Sequence, residues 1–399
     1  MSRFLFVVPP LVGHINPAVG VAAELASRGH ELAWVCADPA LVRRLAGEPG
    51  RVFPCAGPVP GEGEGVRPPD IRGPEALKFL WEAFLAPLAE QMAPGVAAAV
   101  EEFGPDAVVA DQQALAGGLV AERLGVPWAT SATTSAEFTD VLAGMPKVAL
   151  WLDELLAGLR AGIGDPTGTA DPRFSPHLVL AFSTPELVGP EARQGEQIRW
   201  VGPSIAPRPA APHFPWEWLD PARSLVLVSL GTANTDVGAR FLTECVTALR
   251  ARTDRVQAVI ADPGNALGAS DEQDKDLLIL PSIPQLPLLE RADAVISHAG
   301  HNTVCEALWH GVPLVVAPIR DDQPVIAGQV TGAGAGIRVR FGRVTAPKLG
   351  AAIDAVLHEP DHRAAAGRIR TAFRAAGGTR AATTHLERLA TGASLKETP

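Results

Sequence analysis

Apolar residues in this chain come in short, nearly continuous runs set between stretches of helical period. In the first half the runs fall at 4–8, 31–36, 107–110, 127–131 and 178–181. In the second they fall at 225–229, 257–260, 277–280, 293–297 and 314–318. Runs this short, without alternation, suit strands buried on both faces, and the helical stretches between them predict βαβ units on a parallel sheet. Helices are expected from about 18 to 28, where Asn16 would cap and Pro17 begin the helix and Gly29 would close it. Further helices are expected over 78–92 (aromatic, with Phe79, Trp81 and Phe84), 115–124, 137–159, 237–251 and 304–309. The last helical region begins near 345 and runs into an Arg/Ala-rich tail. The stretches 57–74 and 162–172 read as loops, the second as a mobile one.

Prolines recur from Pro203 to Pro221 in a segment without period, the mark of a stiff linker. The α/β pattern restarts after it. The division expected is therefore 1–205, a linker at 206–222, a second domain at 223–378, and a C-terminal helix or tail at 379–399 that packs back on the first domain. Two Rossmann-like parallel-sheet domains would face each other across a ligand-binding cleft.

Length agrees with two domains, since 399 residues exceed what one core usually organises. An apolar content of 47% excludes disorder, and no unbroken apolar run approaches a membrane span. The start, Met1-Ser-Arg followed by FLFVVPP, is unlike a secretory signal. Cys36, Cys55, Cys245 and Cys305 show no paired spacing, which suits small apolar residues in a reducing cytoplasm. A net charge of −10 argues against nucleic acid or an anionic membrane as partner. An anionic substrate would then need placed dipoles and donors.

The stretch 295–328 supplies them. A buried run ends at Ser297, His298-Ala-Gly-His-Asn-Thr303 is small and polar, and a helix follows. A strand, a small turn and a helix start leave unpaired N–H groups and a partial positive charge, an anion site. After the next run, Asp321-Asp-Gln-Pro324 stands where ligands collect in open α/β sheets. Donors for a phosphate on one loop and a carboxylate with an amide on the next fit a nucleotide sugar. Glu306 has a rival role, because Thr303-Val-Cys-Glu306 also reads as a capping box. Near the start, His14 lies beside a helix N-terminus, where the dipole keeps imidazole neutral and able to take a proton. Asp111 ends a later strand and could orient it, or simply cap the helix that follows. Asp274-Lys-Asp276 imitates a metal motif but reads as solvated surface. Gly332-Ala-Gly-Ala-Gly336 imitates a dinucleotide fingerprint but ends a helix rather than opening one.

From GHINP at 13–17 to the DQP at 322–324, the whole chain resembles the UDP-glycosyltransferase family of inverting GT-B enzymes. It is most similar to bacterial enzymes that glycosylate antibiotics, carotenoids and phenolics. SHAGHNTVCEALWHGVPLVVAPIRDDQP carries most of the likeness. The resemblance implies that His298, Gly300, Asn302 and Thr303 meet the donor diphosphate, Glu306 the ribose, and Asp322 and Gln323 the sugar hydroxyls. It implies that Ser229, Gly231 and Thr232 form the turn approaching the donor phosphates, with Ile283 and Gln285 near the base. His14 matches the catalytic base and Asp111 its carboxylate partner. One position departs: the family's base-stacking Trp is Ser282 here.

The implied activity is transfer of a hexose, with glucose the first choice, from a nucleotide diphosphate sugar to a hydroxyl of a hydrophobic acceptor. The sugar nucleotide is co-substrate, with no cofactor and no metal. The acceptor is expected on the N-terminal half, against the aromatic helix and the segment after Ser131, and a homodimer is compatible with all of this. A nucleotide-sugar epimerase of the same architecture, or an idle binding module, remain as alternatives.

Overall fold

A computed structural model describes residues 1–47, 50–59, 71, 73–206, 212–231, 237–268 and 274–393. It forms two compact units. One comprises Met1–Ser183, Arg193–Ala210 and Ala376–Pro399, the other Thr184–Ala192 and Ala211–Ala375.

The first unit is built on seven parallel strands: β1 (Arg3–Val7), β2 (Glu31–Cys36), β3 (Arg51–Pro54), β4 (Ala107–Asp111), β5 (Trp128–Ala132), β6 (Leu178–Ala181) and β7 (Ile198–Trp200), in the order β3-β2-β1-β4-β5-β6-β7. Period-two geometry sends Phe4 and Phe6 to one face of β1 and Leu5 and Val7 to the other, all fully buried. The Phe face packs against helices Val12–Ser27 and Gly378–Ala390. The Leu face packs against Ala86–Phe103 and Leu115–Arg123. The order reverses between β1 and β4, so their carboxyl ends frame the crevice where open α/β sheets bind ligands.

The second unit repeats the plan with six strands: β8 (Ser224–Ser229), β9 (Val256–Ala261), β10 (Leu277–Leu280), β11 (Ala294–Ser297), β12 (Leu314–Val316) and β13 (Gly336–Arg338), ordered β10-β9-β8-β11-β12-β13. Its reversal lies between β8 and β11, which pair in parallel with Ser297 opposite Ser229.

Several expectations change. The first helix begins at Val12, ahead of Asn16, and carries Pro17 inside it. The Leu11 carbonyl accepts from the N–H groups of His14 and Ile15 and closes the first turn. Pro17 then costs only one ladder bond, that to Gly13. Helix 137–159 divides into a turn at Ala136–Phe138 and a helix at Pro146–Ile163. The aromatic helix is a continuous helical run, Pro74–Phe103, with a π-helical turn at Leu80–Leu85. That run is long and apolar enough to cross a membrane by composition alone, yet Leu88, Met92, Val96 and Ala99 are fully buried in the core, the place of an internal helix. The segment read as mobile is tied down: Asp165 accepts from Thr167, and Arg160 donates to the Ala170 carbonyl at 2.8 Å. The Asp274 and Asp276 carboxylates lie at the surface, as expected, and are paired there with Arg250 and Arg223. The Gly332–Gly336 stretch ends helix Gln323–Gly332, turns at Gly334 and enters β13.

Helix Gly378–Ala390 belongs to the first unit. Ala382 and Leu386 are fully buried in the same core as Phe4 and Phe6. Arg28 donates to Glu387 at 2.8 Å, and the Gly378 N–H donates to the Val201 carbonyl at 2.7 Å.

Candidate active site

At the reversal of the first sheet, the turn leaving β1 places His14 in the first turn of its helix, and β4 ends on Asp111. His14 Nδ1 stands 2.9 and 3.1 Å from the two carboxylate oxygens of Asp111. Nδ1 must therefore carry the proton, and the lone pair of the neutral ring sits on Nε2. Asp111, 1% exposed, is held in turn: the Gln113 N–H donates to Oδ1 at 2.8 Å and the Thr133 hydroxyl to Oδ2 at 2.8 Å. Thr133 Oγ1 also stands 2.7 Å from His14 Nδ1. A base that must take a proton on one nitrogen is thus fixed in tautomer and direction by groups on the other.

Thr133 went unread in the sequence, where an isolated threonine carries no signal. The register offers one. Asp111 lies opposite Ser131 on β5, and Thr133, two residues on, points to the same side.

In the second unit, β8 ends at Ser229 and turns through Gly231 with φ of +71°, while β11 delivers His298. The imidazole is wedged between glycines. A Cβ on Gly231 would stand 2.8 Å from its Cε1, and one on Gly300 would stand 2.3 Å from its Nε2. Burial pushes the His298 pKa down to about 4, a hydrogen bond with the Ser229 backbone opposes the fall, and the nearby Arg320 charge adds to it. The ring is neutral at physiological pH and offers a single N–H. His298 therefore supplies no cation.

Gly300 is the N-cap of helix His301–Trp309, which places Asn302 and Thr303 in the first turn. Thr303 is not the cap, so the capping-box reading of Glu306 fails. The buried Glu306 carboxylate instead accepts from Gln285 Nε2 at 2.6 Å, joining two residues that the sequence had assigned separately. Ile283 and Gln285 lie at the junction of β10 and helix Gln285–Leu289. Past β12, Asp322 is the N-cap of helix Gln323–Gly332 by position, but its side chain makes no capping bond. Gln323 is buried, and its Oε1 accepts from the N–H groups of Ile319 at 2.9 Å and Arg320 at 3.0 Å, leaving the amide NH₂ to donate. Thr232 lies outside the described residues. His14 and Asp111 belong to the first unit and the other described candidates to the second.

Two parallel-sheet units of this order define the GT-B glycosyltransferase fold. A solved structure described as the glycotransferase of kitacinnamycin superposes with a TM-score of 0.78 at 24% identity, covering 97% of this chain and 99% of that one. Residues 259–385 match the family described as erythromycin biosynthesis protein CIII-like, C-terminal domain. Along its length the chain is similar to 4'-demethylrebeccamycin synthase of Lentzea aerocolonigenes, 29% identical over 94% of this chain and 96% of the relative. It is equally close to demethyllactenocin mycarosyltransferase of Streptomyces fradiae, 29% identical over 98% and 87%. These likenesses support a glycosyltransferase of the UDP-glycosyltransferase kind.

Proposed function

We propose that this protein transfers a hexose, glucose in the first instance, from a nucleotide diphosphate sugar to a hydroxyl of a hydrophobic natural product, with inversion at the anomeric carbon and without a metal. The single observation that carries the reading is the His14–Asp111–Thr133 arrangement, which commits Nδ1 to Asp111 and assigns proton transfer to Nε2. In the step, the acceptor hydroxyl gives its proton to Nε2 while its oxygen bonds the anomeric carbon. The bond from that carbon to the diphosphate breaks, and its electron pair leaves on the phosphate oxygen. Asp111 stabilises the imidazolium that forms. The departing charge meets the N-terminus of helix His301–Trp309 and the side chains of Asn302 and Thr303.

Ser229, Gly231, Gly300 and His298 would border the diphosphate, Glu306 with Gln285 the ribose, and Asp322 with Gln323 the sugar. Ile283 would lie against the base. The relatives are transferases, which favours transfer over epimerisation. None of the four cysteines is in a disulfide, which suits work in a reducing cytoplasm.

The test is incubation with uridine or thymidine diphosphate glucose, alone and with a panel of phenolic and macrolide acceptors, with and without EDTA. Glucoside formed only with acceptor, at an undiminished rate in EDTA, is the expected result. Conversion of the sugar nucleotide without acceptor would mean epimerisation, and no turnover with any acceptor would leave a binding module.

A further inference from the structure

We infer that Arg320 provides the positive charge that neutralises the nucleoside diphosphate leaving group, a role that rests on the donor-site reading of the second unit. Neither the sequence motifs nor the likeness to relatives pointed to this residue. The argument begins with charge. Among the donor-site candidates the charged side chains are Glu306 and Asp322, both anionic, in a chain of net charge −10. His298 cannot balance them, since its ring is neutral. A helix N-terminus supplies only partial charge. A dianion entering this site would meet more negative than positive charge unless another cation is close.

Arg320 is placed to be that cation. β11 and β12 are adjacent parallel strands, with Ser297 opposite Val316, and the Ala317 N–H donates to the Ser297 carbonyl at 2.8 Å. The loops leaving them therefore start side by side, one carrying His298 and the other Arg320. The second loop is built, not loose: Gln323 Oε1 holds the backbone N–H groups of Ile319 and Arg320, and the chain turns at Asp321 with φ of +56°. Arg320 is half-buried, and its charge is felt at the His298 ring, where it opposes protonation. A guanidinium stays charged at every accessible pH and can fork onto phosphate oxygens. It would thus do what a metal ion does in other phosphate chemistry, and do it from the protein.

The test measures binding by calorimetry of uridine and thymidine diphosphate, and of the matching monophosphates, to wild type, Arg320→Gln and Arg320→Lys. Arg320→Gln should weaken diphosphate binding by roughly tenfold or more, and monophosphate binding by less than about threefold. Its diphosphate affinity should also fall less steeply with added salt, because one charge contact is gone. Arg320→Lys should recover part of the affinity and of the salt dependence. Equal losses for mono- and diphosphate, or an unchanged diphosphate affinity in a folded Gln variant, would overturn the role while leaving the donor site intact. If the Gln variant does not fold, the Lys variant decides: diphosphate binding weakened more than monophosphate binding, with the salt dependence largely kept, supports the role, and unchanged binding or equal loss for both nucleotide classes overturns it. A wild type that binds neither diphosphate overturns the donor-site reading itself and the Arg320 role with it.

Discussion

His14 makes its bond to Asp111 through Nδ1, so the catalytic reading comes down to its other ring nitrogen, Nε2. His14→Ala should lower the transfer rate by about 10²–10⁴-fold, the usual worth of a general base, while donor affinity stays within about threefold, because the donor candidates lie in the other unit. Retention of a tenth of the rate would remove His14 from the mechanism. Ser282 sets a second prediction. It is exposed, so a larger ring has room, and aromatic stacking is worth about 0.5–1.5 kcal/mol beyond area burial. Ser282→Trp should tighten nucleotide binding by up to about tenfold, and wild type should discriminate between uridine and thymidine donors by less than about tenfold. Calorimetry with both nucleotides decides this, and weaker binding in the variant would show the position already filled. The pairing of His14 with Asp111 was legible in the residues, because both stand at strand-to-helix turns. The placement of Thr133 and Arg320 was not, since a lone threonine and one arginine among many carry no local pattern. Their meaning appears only when adjacent strands bring their loops together.

Elements were legible in proportion to their burial. All ten strands read from the sequence exist, while β3, β7 and β13 went unread. Each of the three is the last strand at an edge of its sheet. An edge strand is paired on one side only and tolerates polar residues, so Arg51-Val-Phe-Pro54, Ile198-Arg-Trp200 and Gly336-Ile-Arg338 never formed an apolar run. Helix starts misled for a different reason. Asn16-Pro17 has the local chemistry of a cap, but the turn closes earlier on Leu11, and packing of Ile15 outweighs the one bond that Pro17 forfeits. At this scale the wedge around His298 is the feature to probe. Gly300 has an ordinary φ of −63°, so Gly300→Ala imposes no backbone strain, yet its methyl would lie 2.3 Å from the ring. The variant should fold with a melting temperature a few degrees lower and lose at least tenfold in diphosphate affinity, because His298 must be displaced. Unchanged affinity would mean the ring's position does not matter to binding.

For the whole molecule, acidity is the informative variable. His298 and His385 both have pKa values lowered to about 4, chiefly by burial, with Arg320 adding at the first and Arg199 and Arg388 at the second. In the unfolded chain both titrate near 6.5. Below that pH the unfolded state takes up protons that the native state refuses, so stability is full above about 6.5 and declines as pH falls toward 4. His298 alone should cost up to about 1.4 kcal/mol per pH unit in that window. Urea midpoints at pH 7 and pH 5 should therefore differ in wild type, and by less in His298→Gln; an equal drop in both would assign the loss to other groups. The last helix has a consequence of another kind. Ala382, Leu386 and Leu389 complete the core that Phe4 and Phe6 begin, so the first unit is assembled from the two ends of the chain. On the ribosome, residues up to 206 emerge while their final helix is still unmade. At ordinary rates of elongation, roughly 10–40 s of synthesis separate the two. During that interval helix Val12–Ser27 lacks the cover that Gly378–Ala390 gives it, and the second unit, Thr184–Ala192 with Ala211–Ala375, is the one able to finish first. Nascent chains stalled after residue 375 should be the form most readily bound by chaperones and cut by proteases, and release past Ala390 should end both.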